Sequence, residues 1–373
     1  MKIIYVNCSR IPTEKAHGLQ IMKMCEAMAN FQFSISNFQK IEIELWVPKR
    51  FNSIKKDAFE YYGIKKNFKI KRIPCIDFLA INKGPIGFWL TEFSFLFFLA
   101  FYLIGAREDI IYTRDKFAAF FLSFFKNNIY LEEHTVPARL FFSRIKKLKR
   151  VILITNNLKK IFEERGVPRE KILVAPDGVD LKEFDIKENQ EECRRKLNLP
   201  LDKKIVLYAG SLYKWKGVDT LLKAARNLQN VLFVIVGGNK KDLQSFKFQV
   251  SSFKYVAHRP HSEMPHWLKA ADVLVLPNSG KYDISKYWTS PMKLFEYMAS
   301  KRPIVASDLP SIREILNYDN SILVRSDDPW GLANGIKKCL DDEALCEKIS
   351  SQAYLNVQNY TWRKRAKCVL SIM

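Results

Sequence analysis

At 373 residues and 48% hydrophobic content, the chain is long enough for two ordinary domains and too apolar to be disordered as a whole. Sixty-one Lys and Arg against 39 Asp and Glu give a formal charge of +22, a field that attracts nucleic acid, anionic lipid or phosphorylated small molecules alike. The seven cysteines form no Cys-x-x-Cys pair and the five histidines show no ligand spacing, which argues against a disulfide framework and a zinc module and for a reducing cytosol.

Taken in order, Lys2-Ile-Ile-Tyr-Val is a continuous apolar strand of the parallel-sheet kind; it starts so early that no signal peptide is expected. A polar loop through His17 and Gly18 leads to an amphipathic helix from Leu19, and Gly18 just before it allows a ligand close to the backbone. Ile41 to Val47 is a further strand. The most hydrophobic tract, Phe93 to Ala106, is too short to span a bilayer, which needs about 20 residues, so a buried helix feeding the strand Asp109-Ile-Ile-Tyr-Thr is expected, with a membrane-dipping role as the alternative. Ile129-Tyr-Leu-Glu-Glu-His134 delivers carboxylates and an imidazole to a strand's carboxyl end, where open α/β sheets bind ligands. Leu181 to Asp202 is polar and charged and looks like a link between domains, after which strand–helix alternation restarts.

In the second half, Lys204-Ile-Val-Leu-Tyr-Ala-Gly210-Ser211 runs into Lys214-Trp-Lys216-Gly217 and a helix, and Ala271 to Pro277 and Pro303 to Ala306 are strands flanking a helix. Ser290 reads as that helix's cap and Pro291 as its first residue. Its free N–H groups and dipole suit a phosphate, with Lys293 in the first turn and Glu296 one turn on.

The order and spacing of these elements resemble a glycosyltransferase of the GT-B fold, family four, the group 1 glycosyl transferases. The resemblance is densest at Ala175-Pro-Asp-Gly-Val-Asp180, Tyr208-Ala-Gly-Ser-Leu with Lys216-Gly217, Ala270 to Pro277 and Lys293 to Ser307. It implies an α/β chain of two Rossmann-like domains with a cleft between them: an acceptor-side domain over 1–181, a nucleotide-sugar domain over 182–359, and a last helix, 360–373, packing back onto the first. It further implies a retaining, metal-independent hexosyl transfer from a nucleoside diphosphate sugar to a glycan or lipid-linked acceptor, in polysaccharide or glycolipid biosynthesis, with no cofactor.

By the same resemblance Gly210, Ser211 and Lys216 line the donor diphosphate with Ser290 and Lys293, Glu296 holds the ribose hydroxyls, His134 lies near the donor sugar, and Gly18 belongs to a loop over the phosphates. The chain departs from the family at Trp288, where a glutamate usually stands, at Ser290-Pro291, which replaces an aromatic-glycine pair, and at Ser211, where arginine is frequent and Lys214 could supply only the charge.

Arg139 to Arg150 places Phe141, Ile145 and Leu148 on one helical face among cations. That form suits either a helix lying on an anionic membrane surface, with the chain peripheral on its inner face, or one packed on its own domain. The competing functions are a nucleotide-sugar epimerase or hydrolase on the same fold, a non-catalytic binder of polyanions, and an inactive relative that only binds sugar nucleotide. No helix-turn-helix, zinc-finger or RNA-binding signature supports a nucleic-acid partner.

Overall fold

The computed structural model describes residues 1–31, 41–81, 84–238 and 252–373. The chain forms two compact units, one of Met1–Ala175 together with Trp362–Met373, the other of Pro176–Thr361.

The first unit is built on seven parallel strands: β1 (Lys2–Val6), β2 (Glu42–Pro48), β3 (Lys69–Ile73), β4 (Ile110–Thr113), β5 (Ile129–Glu133), β6 (Arg150–Leu153) and β7 (Ile172–Val174), in the order β3-β2-β1-β4-β5-β6-β7. The second has six: β8 (Lys204–Ala209), β9 (Val231–Val236), β10 (Phe253–Val256), β11 (Val273–Leu276), β12 (Ile304–Ser307) and β13 (Ile322–Val324), in the order β10-β9-β8-β11-β12-β13. Central strands such as β1, β8 and β11 are apolar on both faces because helices cover both faces of a parallel sheet. In each sheet the strand order reverses once, between β1 and β4 and between β8 and β11. Chain leaving neighbouring strands there diverges to opposite faces, which opens a crevice at the strands' carboxyl ends.

The helices that position functional groups are α1 (Ala16–Ala29), α2 (Pro85–Ile104), α3 (Lys116–Leu122), α4 (Arg139–Ile145), α5 (Val218–Ala225), α6 (Met292–Ala299) and α7 (Trp362–Leu370). α6 joins β11 to β12, the strand–helix–strand unit its sequence predicts. α7 packs on α1 within the first unit.

Three expectations change, and at α4 one of two open readings is met. The apolar tract is part of α2, a helix of 20 residues opened by Gly84 and Pro85, long and apolar enough to cross a bilayer by length and composition. It is not a buried helix, because only one of its faces is covered. α4 ends at Ile145, where the chain turns toward β6; Phe141, Ile145 and Leu148 are buried, so this apolar stripe belongs to the unit's core and only the basic residues face outward. The segment from Leu181 is no linker. It holds two short helices, Leu181–Phe184 and Gln190–Lys196, the second opened by a reciprocal capping box between Asn189 and Glu192, and Phe184 and Cys193 enter the second unit's core. Gly18 lies inside α1, which begins at Ala16.

Candidate active site

The crevice between β8 and β11 collects most of the residues singled out in the second half. Gly210, immediately after β8, has φ +135°, which side-chain-bearing residues rarely adopt. Gly217 follows the turn Lys214–Lys216 with φ +69°, and a Cβ there would stand 1.8 Å from the carbonyl oxygen of Pro277. The turn that carries Lys216 is therefore pressed directly against the end of β11. Tyr297 of α6 ties the helix to β8, its hydroxyl accepting the amide of Ala209 at 2.8 Å. Tyr208 donates its hydroxyl to the carbonyl of Ser211 at 2.7 Å, fixing the loop behind Gly210.

Two ammonium groups meet at this point. Lys293, in the first turn of α6, is 91% buried by its 9% exposure, and its Nζ has no hydrogen-bond partner. The Nζ lies 3.7 Å from the centre of the Tyr208 ring, and a Cβ built on Gly210 would be 3.3 Å from it. Lys216 is equally buried, with its Nζ 3.8 Å from the centre of the Trp215 ring. Burial pushes Lys216 down to about 7. Burial, and then repulsion from Lys216, holds Lys293 well below the ordinary lysine value, with Glu296 opposing. Cations crowded together out of water are stabilised by an anion, and a helix start and a glycine loop converge on the same place.

Glu296, one turn further along α6, is buried, and its Oε1 lies 2.9 Å from Nε2 of His261. His261, in the turn His261–Glu263, carries no local sequence signal of this role. It orients a carboxylate that can accept only hydrogen bonds, which suits neighbouring hydroxyls. Ser290 does not cap α6: Pro291 occupies the cap position, and the Ser290 hydroxyl accepts the amide of Asp177 at 3.3 Å. Trp288 ends a wide helical turn, Ile284–Trp288, that packs on Lys214–Lys216, and its indole Nε1 is buried without a partner. A donor thus stands where a carboxylate acceptor was expected. A cavity of about 650 Å³ in this unit lies elsewhere, lined by Lys281, Lys286 and Arg325 against Asp308, Asp327 and Asp328. Its charges balance and Asp308 is bound to Arg313, so it offers no comparable pull on a polyanion.

In the first unit, His134 follows β5 with its Nε2 2.6 Å from Oε1 of Glu132. Glu132 is fully buried and is the hub of a network: it accepts from Gln20 Nε2 at 2.7 Å and from the Tyr112 hydroxyl, and Arg365 of α7 lies 3.0 Å away. Burial alone would raise this carboxyl, yet Arg365, His134 and Arg114 hold it well below its usual value. None of Gln20, Arg114, Glu132 or Arg365 was a predicted site residue, and the partner on α7 is far away in sequence. Gly18 has a packing reason to be glycine: a Cβ there would stand 2.2 Å from the Tyr62 hydroxyl, which also donates to Thr13 and accepts from it.

A cavity of about 300 Å³ opens at the reversal between β1 and β4, lined among others by Cys8, Arg10, Lys15, His17, Glu92 and Asp115. Burial, and then Asp115, raises Glu92 to about 8, and its Oε1 has no partner. His17, whose Nε2 is also unpartnered, is pushed down to about 4 by burial and by Arg114.

Among solved structures, the chain is similar to sucrose-phosphate synthase from Thermosynechococcus elongatus (TM-score 0.77, 17% identity, covering 100% of this chain and 98% of that one). It is also similar to Anabaena HepE, solved in complex with UDP-glucose (TM-score 0.73, 15% identity, 100% of both chains). The molecule is therefore an α/β protein of the GT-B fold. Residues 203–342 match the family described as Glycosyl transferases group 1. In sequence the chain is similar to an uncharacterized glycosyltransferase of Methanocaldococcus jannaschii, 28% identical over 236 residues, and to D-inositol 3-phosphate glycosyltransferase 1 of Catenulispora acidiphila, 25% identical over 226. These stretches cover 60% and 56% of this chain and 59% and 52% of the relatives, so the chain spans little more than half the length of the relatives it matches. The match to the group 1 glycosyl transferases thus lies within the second unit.

Proposed function

We propose that the protein is a glycosyltransferase that moves a hexosyl group from a nucleoside diphosphate sugar to a glycan or lipid-linked acceptor, with retention of configuration. The observation that carries this reading is the buried pair Lys216 and Lys293 beside Gly210 at the start of α6, two lysines with no ion pair among the described residues. A diphosphate supplies the missing charge and gains more of it as the sugar departs, so the same contacts that bind the donor stabilise the leaving group. Two lysines and a helix start supply positive charge in place of a metal. Glu296, oriented by His261, accepts the ribose hydroxyls, and Ser211 and Ser290 lie on the loops flanking the phosphates. The Trp288 indole N–H is the group nearest in sequence that could replace the family's usual carboxylate, with a donor for an acceptor. In the first unit the buried Glu132 holds the ring of His134, which the family resemblance assigns to the donor sugar. Retention is supported by the family resemblance and requires no carboxylate base of this chain, because the departing phosphate takes the acceptor proton. Seven free cysteines support a reducing, cytosolic setting.

The test is a thermal-shift screen against nucleoside diphosphates and their sugars, since a ligand that binds only the folded state raises its melting temperature, by about 2.7 kcal/mol of stabilisation at a hundred times Kd. At least one nucleotide sugar is expected to stabilise the second unit, and Lys216→Ala or Lys293→Ala to weaken it about 10- to 100-fold, as loss of a charge-assisted hydrogen bond of ~1.5–3 kcal/mol would. If no nucleotide sugar shifts the transition, or both variants bind as the parent does, the reading is wrong.

A further inference from the structure

α2 carries two apolar faces, and the fold uses only one. Phe95, Leu96, Leu99 and Leu103 are buried against the first unit. On the other side Ile86, Leu90, Phe93, Phe97, Phe101 and Ile104, spaced by three or four residues, form an unbroken stripe along the whole helix, each leaving between 44% and 82% of its surface exposed. Isolated exposed apolar residues are ordinary; a continuous stripe of large aromatic and aliphatic side chains over about five turns marks a surface that meets something.

The stripe does not stop at the helix. Phe88 and Trp89 stack edge-on against Phe117 of α3, with centroids 6.5 and 4.8 Å apart, and Phe117 meets Phe141 of α4 at 5.2 Å. Phe124, exposed just beyond α3, lies under the guanidinium of Arg144 at 3.6 Å. Arg139, Lys146, Lys147 and Lys149 then line the outer side of α4 and the turn after it, all exposed. An apolar stripe thus runs into a band of cations on neighbouring helices of one unit.

We propose that this α2–α4 face docks the protein on an anionic lipid bilayer, with the α2 stripe in the acyl boundary and the α4 cations among the headgroups. The geometry fits a helix lying in the interface plane. A spanning helix would have to be apolar all round and free of the unit, whereas the inner face of α2 is committed to the core and places Thr91 and the titratable Glu92 at the 300 Å³ cavity. A second copy of the chain is the other occupant of the right shape. It would bring two such cationic bands and two chains of +22 together, a repulsion that an anionic surface turns into attraction. Aromatic side chains suit the boundary between headgroup and hydrocarbon, and neighbouring lysines can reach outward from it. The proposal does not depend on the sugar chemistry, since docking requires neither donor nor acceptor.

The experiment is co-sedimentation of the full chain with vesicles of phosphatidylcholine alone and of phosphatidylcholine with phosphatidylglycerol, without nucleotide. Strong binding to the anionic vesicles, at least tenfold weaker binding to neutral ones, and loss of at least tenfold in Phe93→Glu/Phe97→Glu/Phe101→Glu are expected. Lys146→Gln/Lys147→Gln/Lys149→Gln should lose the anionic preference and leave the melting temperature alone. Should the triple glutamate variant not fold, a polarity-sensitive dye on Phe101→Cys replaces it, and a blue shift on anionic vesicles is the supporting result. No sedimentation of the parent chain, unaltered sedimentation of the folded triple variant, or a dye that stays in water overturns the proposal. So does a dimer in solution that the triple variant makes monomeric while vesicles bind neither.

Discussion

Burial strips water from the ammonium groups of Lys216 and Lys293, and the charge of Lys216 adds to the cost of charging Lys293. Lys216 titrates at about 7 against an ordinary 10.5, so between these values the unfolded chain holds a proton that the folded chain has released, and stability contributed by this group rises with pH across that window. A bound diphosphate restores the charged form. Donor binding near pH 8 is therefore expected to take up protons, read as a dependence of the calorimetric heat on the ionisation enthalpy of the buffer; equal heats in all buffers would show that both lysines are already charged. Glu92 works with the opposite sign. Folded, it titrates at about 8 against 4.5, so stability falls as pH rises between those values. Glu92→Gln should remove that slope and raise the melting temperature at pH 7.5 by a few degrees, with little effect at pH 4. A lysine in the first turn of α6 could be read from the sequence because helix starts and anions belong together. The state of its proton could not, because it depends on Lys216, brought alongside only by folding.

At the scale of elements, the strands were legible as apolar runs, and the β11–α6–β12 unit stands where its sequence places it. What failed was the assignment of faces. Ser290-Pro291 has the composition of a cap and first turn, yet the cap position falls on Pro291 and the serine reaches the Asp177 amide instead. α2 and α4 exchanged roles for a similar reason: both have an apolar stripe, and periodicity cannot say which stripe the rest of the unit covers. Gly217 illustrates a contact that sequence leaves invisible. Gly217→Ala forces a Cβ onto the Pro277 carbonyl and a left-handed φ onto alanine, so a loss of at least ~2 kcal/mol is expected from the urea midpoint. α7 depends on a single buried ion network. Arg365→Ala would leave Glu132 charged and undercompensated in the core, and should destabilise the first unit by ~3–5 kcal/mol.

For the whole molecule, two sheets each with one reversal of strand order were within reach of the alternation of strands and helices, and the resemblance carried the fold name. The hub at Glu132 was not, since Gln20 of α1, Tyr112 and Arg114 at the end of β4, His134 after β5 and Arg365 of α7 come from four separate parts of the chain. Removing residues 362–373 should therefore do more than shorten the chain. It uncovers the face of α1 that α7 covers and deletes the closest arginine to Glu132, so limited proteolysis is expected to cut throughout the first unit while the core of residues 176–361 stays protected. Equal resistance of both units would show that α7 is dispensable.

The return of α7 also sets an order in time. Arg365 is made only after the whole of Pro176–Thr361 has been synthesised, an interval of roughly 10–40 s at translation rates of about 5–20 residues per second. During that interval the nascent first unit has a central carboxylate without its closest arginine and an uncovered face on α1. The second unit, uninterrupted in sequence, is free to finish first. A protein whose earlier-made half matures last presents its unfinished surface to chaperones for longest, and a substitution in α7 would be felt as lost yield before it was felt as lost activity.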